Sequence, residues 1–186
     1  MRRHIALSGA AALLAAMLLS TPQAYGAVLT FRGRLFSNVA GELPYNIRIE
    51  IKDFSPAEEA QALIQFMVKG DGDGFYKLLR SLDKGSLQFI GSLGLNIKFN
   101  IVQEYETEKG YRIIMVTEGR SVEPGTTKLL NVPWRFLVII LELDKNYNGA
   151  GRLYEDAEIG ATGAGVFTMA SSFSLSKELV NLRLAK

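Results

Sequence analysis

The most regular chemical pattern in the chain is Asp144-Lys145-Asn146-Tyr147-Asn148-Gly149, with Glu155 at the twelfth place. Asp, Asn and Asn at alternate places, Gly at the sixth and Glu at the twelfth match the spacing of a calcium loop. There, side-chain oxygens, one backbone carbonyl and a bidentate carboxylate surround the ion. Asp144, Asn146 and Asn148 would supply side-chain oxygens, Ala150 the carbonyl and Glu155 the bidentate group. The flanking residues point elsewhere. An EF-hand loop joins two helices, whereas here an apolar run ending at Leu143 precedes the segment and an alternating one follows it. Gly151 stands where an aliphatic residue is usual, and only Asp144 and Glu155 bring full negative charge. Asn and Gly also suit the positive φ of a hairpin turn. The expectation is therefore a plain turn, with no metal and no cofactor.

Glu104, Glu106 and Glu108 recur at period two and so share one face of a strand near its turn. Paired carboxylates support acid–base chemistry, but charges at a strand end are ordinarily solvated, and Lys98 falls on the same face. Tyr105, Tyr111, Trp134 and Phe136 are candidates to line a ligand cavity, set against the commoner role of such aromatics as core. Asp71-Gly72-Asp73 is explained by a helix stop and a cap at Asp73. The Gly160–Gly165 segment resembles a phosphate loop only in composition, because an alternating segment follows it instead of a helix.

What is missing limits the chemistry more than what is present. The chain has no cysteine, and its one histidine is His4. Thiolate nucleophiles, thiolate zinc sites and disulfides are excluded throughout, and imidazole catalysis is excluded beyond residue 4. Carboxylates, lysines and oxygen-ligand cation sites remain.

His4 itself belongs to a segment with the layout of a secretory signal. Arg2 and Arg3 precede an apolar stretch over residues 5–19, Ser20-Thr21-Pro22-Gln23 breaks it, and Ala24-Tyr25-Gly26 offers small residues at the cleavage positions. Residues 1–26 are expected to be removed before Ala27, leaving one globular domain over 27–186, exported to the periplasm or beyond, without a stable membrane span. Loss of Arg2 and Arg3 takes the 21 basic residues to 19, equal to the 19 acidic ones. A neutral domain lacks the basic surplus that nucleic acid requires, so no nucleic-acid partner is expected. A polybasic membrane patch has no support from the net charge either.

These residues must be carried by mainly extended elements. Residues 28–36 and 46–52 alternate, the second with Ile47, Ile49 and Ile51 against Arg48, Glu50 and Lys52. Ser55-Pro56-Ala57-Glu58 reads as a capping box with proline at the first helical position. Helical spacing follows in Ala60, Leu63, Ile64 and Met67, then in Phe75, Leu78, Leu79 and Leu82. The remainder alternates again: 96–105 with Ile97, Phe99, Ile101 and Tyr105 on one face, then 111–117, 152–159, 166–175 and 179–185. Residues 134–143 are apolar on both faces, as in a central covered strand. The pattern predicts an α+β fold: a large antiparallel, strongly curved or barrel-like sheet, with a helical hairpin inserted after the second strand.

The segments Phe31-Arg32-Gly33, Leu43-Pro44-Tyr45-Asn46-Ile47-Arg48-Ile49 and Phe54-Ser55-Pro56-Ala57-Glu58-Glu59 resemble an uncharacterised family of exported bacterial proteins. The Leu78–Gly85 segment and the Leu143-Asp144-Lys145 turn extend the likeness. That resemblance implies one exported domain and brings no activity. Two functions compete: a non-catalytic cell-envelope protein that binds an apolar small molecule or another envelope protein on its sheet, and a carboxylate- or calcium-dependent enzyme using Glu104, Asp144 and Glu155. The missing histidine and cysteine favour the first.

Overall fold

A computed structural model of the chain describes residues 28–37, 43–91, 96–119, 121–122, 129–130, 135–161, 166–172 and 175–185. The expected leader over residues 1–26 and Trp134 lie outside the described residues. Period-two alternation becomes β1 (Leu29–Phe36) and β2 (Tyr45–Ile51), and the switch to helical spacing becomes α1 (Ala57–Lys69) and α2 (Gly72–Ser81). There follow β3 (Gly85–Phe89), β4 (Asn96–Phe99), β5 (Ile101–Thr107), β6 (Gly110–Glu118), β7 (Ser121–Val122), β8 (Leu129–Leu130), β9 (Phe136–Asp144), β10 (Gly149–Ala161), β11 (Phe167–Ser172) and β12 (Lys177–Leu184). Among the described residues, ten strands form one antiparallel sheet in the order β4-β3-β2-β1-β12-β10-β9-β6-β5, with β11 added on β10; β7 and β8 pair separately. This is the α+β class, with the helical hairpin after the second strand.

Burial on both faces explains the unbroken apolar run of β9. On the face termed here the core face, Ile139, Leu141 and Leu143 join Phe31, Ile47, Ile49, Ile113, Met115 and Leu182 in one cluster. On the opposite, helix face, Phe136 and Val138 pack with Val116, Ala60 and Leu63 of α1, and Phe75 and Leu79 of α2. The two helices thus bury their stripes on one part of the sheet. Gly33 is needed where β1 meets β12. A Cβ there would sit 2.7 Å from Leu182 Cδ2, at a bulge where Asn181 takes a positive φ of 54°.

Closure into a strongly curved, barrel-like sheet, expected from the number of strands, is not found. The strand path ends at β4 on one side and β5 on the other, and no ladder joins them among the described residues. Exposed backbone on the β5 edge is satisfied another way. Ser55 donates its backbone N–H to Val102 O at 2.7 Å, and its hydroxyl accepts from Val102 N at 3.1 Å. A two-way bond of this kind blunts an edge without closing the sheet.

That geometry also corrects both predicted helix caps. The cap position of α1 is Pro56, with no side-chain cap bond, because the Ser55 hydroxyl is spent on β5. In α2 the cap is Asp71, two residues before the expected Asp73, and its Oδ1 accepts from Gly74 N at 2.9 Å. Gly70 ends α1 with a left-handed φ of 68°, a conformation that glycine adopts without strain. The single strand expected over 96–105 is broken at Asn100, so its predicted common face is split: Phe99 lies in the core-face cluster and Ile101 in the helix-face cluster.

Ser55→Ala strands the buried Val102 N–H and is expected to cost about 1–3 kcal/mol. Glu58→Ala, at an exposed site with no capping box to lose, is expected to change little. Denaturant midpoints of the two variants decide it; equal losses would restore the capping box.

Candidate functional site

Asp144 is consumed by the turn it begins. Its Oδ1 accepts from Asn146 N at 2.7 Å and Asn148 N at 2.9 Å, while its own N–H donates to Asn148 O at 2.8 Å. The turn joins β9 to β10, in which Gly149 pairs with Leu143. Glu155 lies six residues along β10, about 20 Å from the turn at strand rise, and pairs with Lys177 at 2.6 Å. The structure therefore does not bring Glu155 to Asp144, Asn146 and Asn148. Among the described residues no three Asp, Glu, His or Cys side chains are grouped to hold a metal ion.

The three aromatic candidates among the described residues, Tyr105, Tyr111 and Phe136, do not converge either. Tyr111 lies on the core face, stacked on Tyr147 with ring centroids 4.5 Å apart and planes 10° from parallel. Tyr105 lies on the helix face, its hydroxyl donating to Gln103 Oε1, and burial pushes its pKa up to about 12. Gln103 Oε1 also accepts from Phe167 N at 2.9 Å, fixing the start of β11. Phe136 is fully buried, edge-on to Phe75 at 5.9 Å, as helix-packing core.

Tyr147 is the residue that sequence reasoning passed over. It occupies an unassigned place in the calcium pattern, and it takes a positive φ of 60°. Left-handed backbone costs a non-glycine residue about 1–2 kcal/mol. The stack on Tyr111 returns about 0.5–1.5 kcal/mol. An aromatic between two asparagines of a tight turn was the available signal that tertiary contacts hold it. Its hydroxyl also donates to the Glu104 carboxylate. The break at Asn100 turns Glu104 away from the solvated face expected for it and onto the core face, beside Val102, where it is half-buried and its Oε1 has no hydrogen-bond partner. Burial raises the Glu104 pKa above the ordinary carboxylate range, and the Tyr147 bond offsets part of that.

The concave surface with the best chemical definition is on the helix face, beside the helices. Ile114 of β6, Ile140 of β9, Tyr154 of β10 and Met169 of β11 floor a groove of about 550 Å³, with Arg112 and Arg152 at its rim. Alternation places these residues there: Ile114, Ile140 and Tyr154 belong to the helix-face cluster while their strand neighbours Ile113, Ile139 and Leu153 point to the core face. Arg112 is tied to Glu142 at 2.7 Å. Arg152 has no ion-pair partner among the described residues. A second opening of about 560 Å³, lined by Thr107, Lys109, Leu143 and Asp144, adjoins the groove at the Arg112–Glu142 pair. Such a site can hold an apolar body against the floor and an anionic end against Arg152. No protein-family model, curated protein or solved structure matches the chain.

Because the folded pKa of Glu104 is raised, its carboxylate form opposes folding. That carboxyl contributes full stability below the ordinary glutamate range and loses it as pH rises through the raised value. Glu104→Gln is thus expected to raise the melting temperature at pH 7 and leave it unchanged near pH 3. A variant that lowers the melting temperature at pH 7 would mean that the ionised form is held by a favourable partner.

Proposed function

We propose that the protein is a non-catalytic binding protein of the bacterial cell envelope, which holds a small apolar ligand with an anionic end in the groove over β6, β9, β10 and β11. One observation carries this reading: an apolar floor of Ile114, Ile140, Tyr154 and Met169 lies beside an arginine, Arg152, that no ion pair occupies among the described residues. Ligand sites of this size are mostly apolar, with a few polar groups that fix orientation. The envelope setting rests on the secretory layout of residues 1–26 and on the resemblance to exported proteins. No helix among the described residues is long and apolar enough to cross a membrane.

The enzymatic alternative rests on the half-buried Glu104. General acid–base cleavage between two carboxylates needs a second one facing the first across the substrate. Glu155 is paired with Lys177 and Asp144 is engaged in its turn, so binding is the reading with more support.

A fluorescent fatty acid tests the groove. Met169→Asp puts a charge on the floor and Arg152→Ala removes the anion partner. Each is expected to weaken binding about tenfold or more, a loss of about 1.4 kcal/mol or more, with the fold unchanged by circular dichroism. Binding that ignores both substitutions would place the ligand elsewhere. For the envelope setting, the intact mass of the exported protein is expected to begin at Ala27; retention of residues 1–26 in that fraction counts against processing.

A further inference from the structure

A second exposed feature lies away from the groove and does not depend on the reading above. On β1, Arg32 stands directly opposite Arg48 of β2 and Arg183 of β12. Side chains directly opposite in an antiparallel sheet lie about 5 Å apart at Cβ, and like charges so placed repel. Arg34, two residues along β1, faces Asn46 and Val180. Arg32, Arg34 and Arg183 are exposed, without an ion pair among the described residues. Arg48 has Glu50 at 3.1 Å, yet its Nε is buried with no hydrogen-bond partner. Lys98 extends this face on β4, and Glu50 and Glu178 are its acidic members. Three adjacent strands therefore hold four guanidinium groups, three of them without an ion pair among the described residues.

The end of the sheet next to these arginines is apolar. Phe36, Leu43, Tyr45, Ile90 and Leu175 are 39% to 83% exposed. Pairing puts them together: Tyr45 opposes Leu35, Ile90 N donates to Asn46 O at 2.8 Å, and Leu175 leads into β12, whose Glu178 opposes Phe36. Arg34 is about 7 Å from Phe36 along the strand, and Arg32 about 13 Å. Apolar tips with tyrosine among them, backed by arginines one and two steps behind, match the layers of an anionic bilayer surface. Aromatic and aliphatic side chains enter the boundary of the acyl region, and cations meet the phosphates above it. A bare polyanion such as DNA would engage the arginines and leave the tips without a role.

We propose that this end of the sheet docks on an anionic phospholipid bilayer, with Phe36, Leu43, Tyr45, Ile90 and Leu175 inserted and Arg32, Arg34, Arg48 and Arg183 on the lipid phosphates.

The chain has no cysteine, so a single introduced one can carry an environment-sensitive fluorophore at a chosen place. Labels at Leu43→Cys and Leu175→Cys are compared with one at Lys145→Cys, in the turn at the opposite end. Vesicles containing phosphatidylglycerol are expected to brighten and blue-shift the first two and not the third, whereas pure phosphatidylcholine vesicles give a weak response. Replacing Arg32, Arg48 and Arg183 by Gln is expected to weaken vesicle partitioning about fivefold per arginine, and raised salt should do the same. Arg32 and Arg183 are exposed without an ion pair among the described residues, and Arg48 gives up its Glu50 pair together with its repulsion by Arg32, so the variant should melt close to the parent. A Leu43→Ser, Leu175→Ser variant gives an independent check, weakening partitioning with the arginines intact. An equal response at Lys145, an undiminished response after the arginine changes, or tight DNA binding without any vesicle response would overturn the proposal.

Discussion

Asn100 holds together the two ends of the sheet. It is the single residue between β4 and β5, which are the opposite end strands. Its side-chain N–H donates to Leu82 O at 2.8 Å, its Oδ1 accepts from the Thr117 hydroxyl at 2.7 Å, and its backbone N–H donates to Val116 O at 3.0 Å. Both side chains, Asn100 and Thr117, are buried, so each bond is one whose loss leaves a desolvated polar group without a partner. Through these bonds the residue fixes the end of α2 and the last residues of β6 to the point where the chain changes edges. Interrupting the strand there also reverses its phase. Residues two apart on an unbroken strand share a face; Phe99 and Ile101 do not. Everything downstream on β5 inherits the reversal, including Glu104 on the core face and Tyr105 beneath the helices.

The same reversal separates what the alternation alone puts together. Elements with local signals were legible in the residues: the two opening strands, the helical pair, the doubly covered β9 and the turn at Asp144. Each depends on neighbours within a few positions. Most of the errors involve a partner distant in the chain, and the cap of α2 is a local exception. Ser55 has the type and spacing of a cap, but Val102, far along the sequence, takes its hydroxyl. Asp73 has a cap's composition, but Asp71 reaches Gly74 first. Barrel closure was expected because many strands in an open sheet leave edges to satisfy, and the bonds from Ser55 serve the β5 edge without it. Glu155 completes a twelve-residue motif, but the flanking alternation already favoured a hairpin turn over a compact loop, and an extended strand carries Glu155 away from Asp144.

Charge was the property least legible from composition. Equal numbers of acidic and basic groups after residue 26 argued against a basic patch, yet composition fixes only the sum. Pairing of β12, β1 and β2 lines up Arg183, Arg32 and Arg48, while many carboxylates lie on other surfaces in pairs such as Arg80–Glu118, Arg112–Glu142 and Lys177–Glu155. A buried exception is Lys84, held 3.0 Å from both Asp53 and Glu59. Its desolvation would favour the neutral amine, but the two carboxylates outweigh it and its pKa is raised. Cations with structural roles are thus matched by acids at close range, whereas Arg32, Arg34 and Arg183 have no ion pair among the described residues.

That contrast gives the two faces of the sheet different tasks. The core face packs strands from both ends of the sheet, Phe99 of β4 and Val102 of β5 among them, and it embeds the carboxylate of Glu104, half-buried and bonded to Tyr147. The opposite face is divided along its width. Helices cover the part over β5, β6 and β9, the groove opens beside them, and the arginine rows lie beyond, on β12, β1 and β2. Arg152 marks the boundary: it rims the groove, and its register partner on β12 is Glu178, which in turn faces Phe36. An arginine without an ion pair among the described residues, beside an apolar floor, and a row of mutually repelling ones beside an apolar edge ask for the same chemistry at two scales: an anionic group attached to something apolar. A single amphiphile meets the first requirement and a bilayer of amphiphiles meets the second, so ligand and membrane surface would be approached from one side of one sheet.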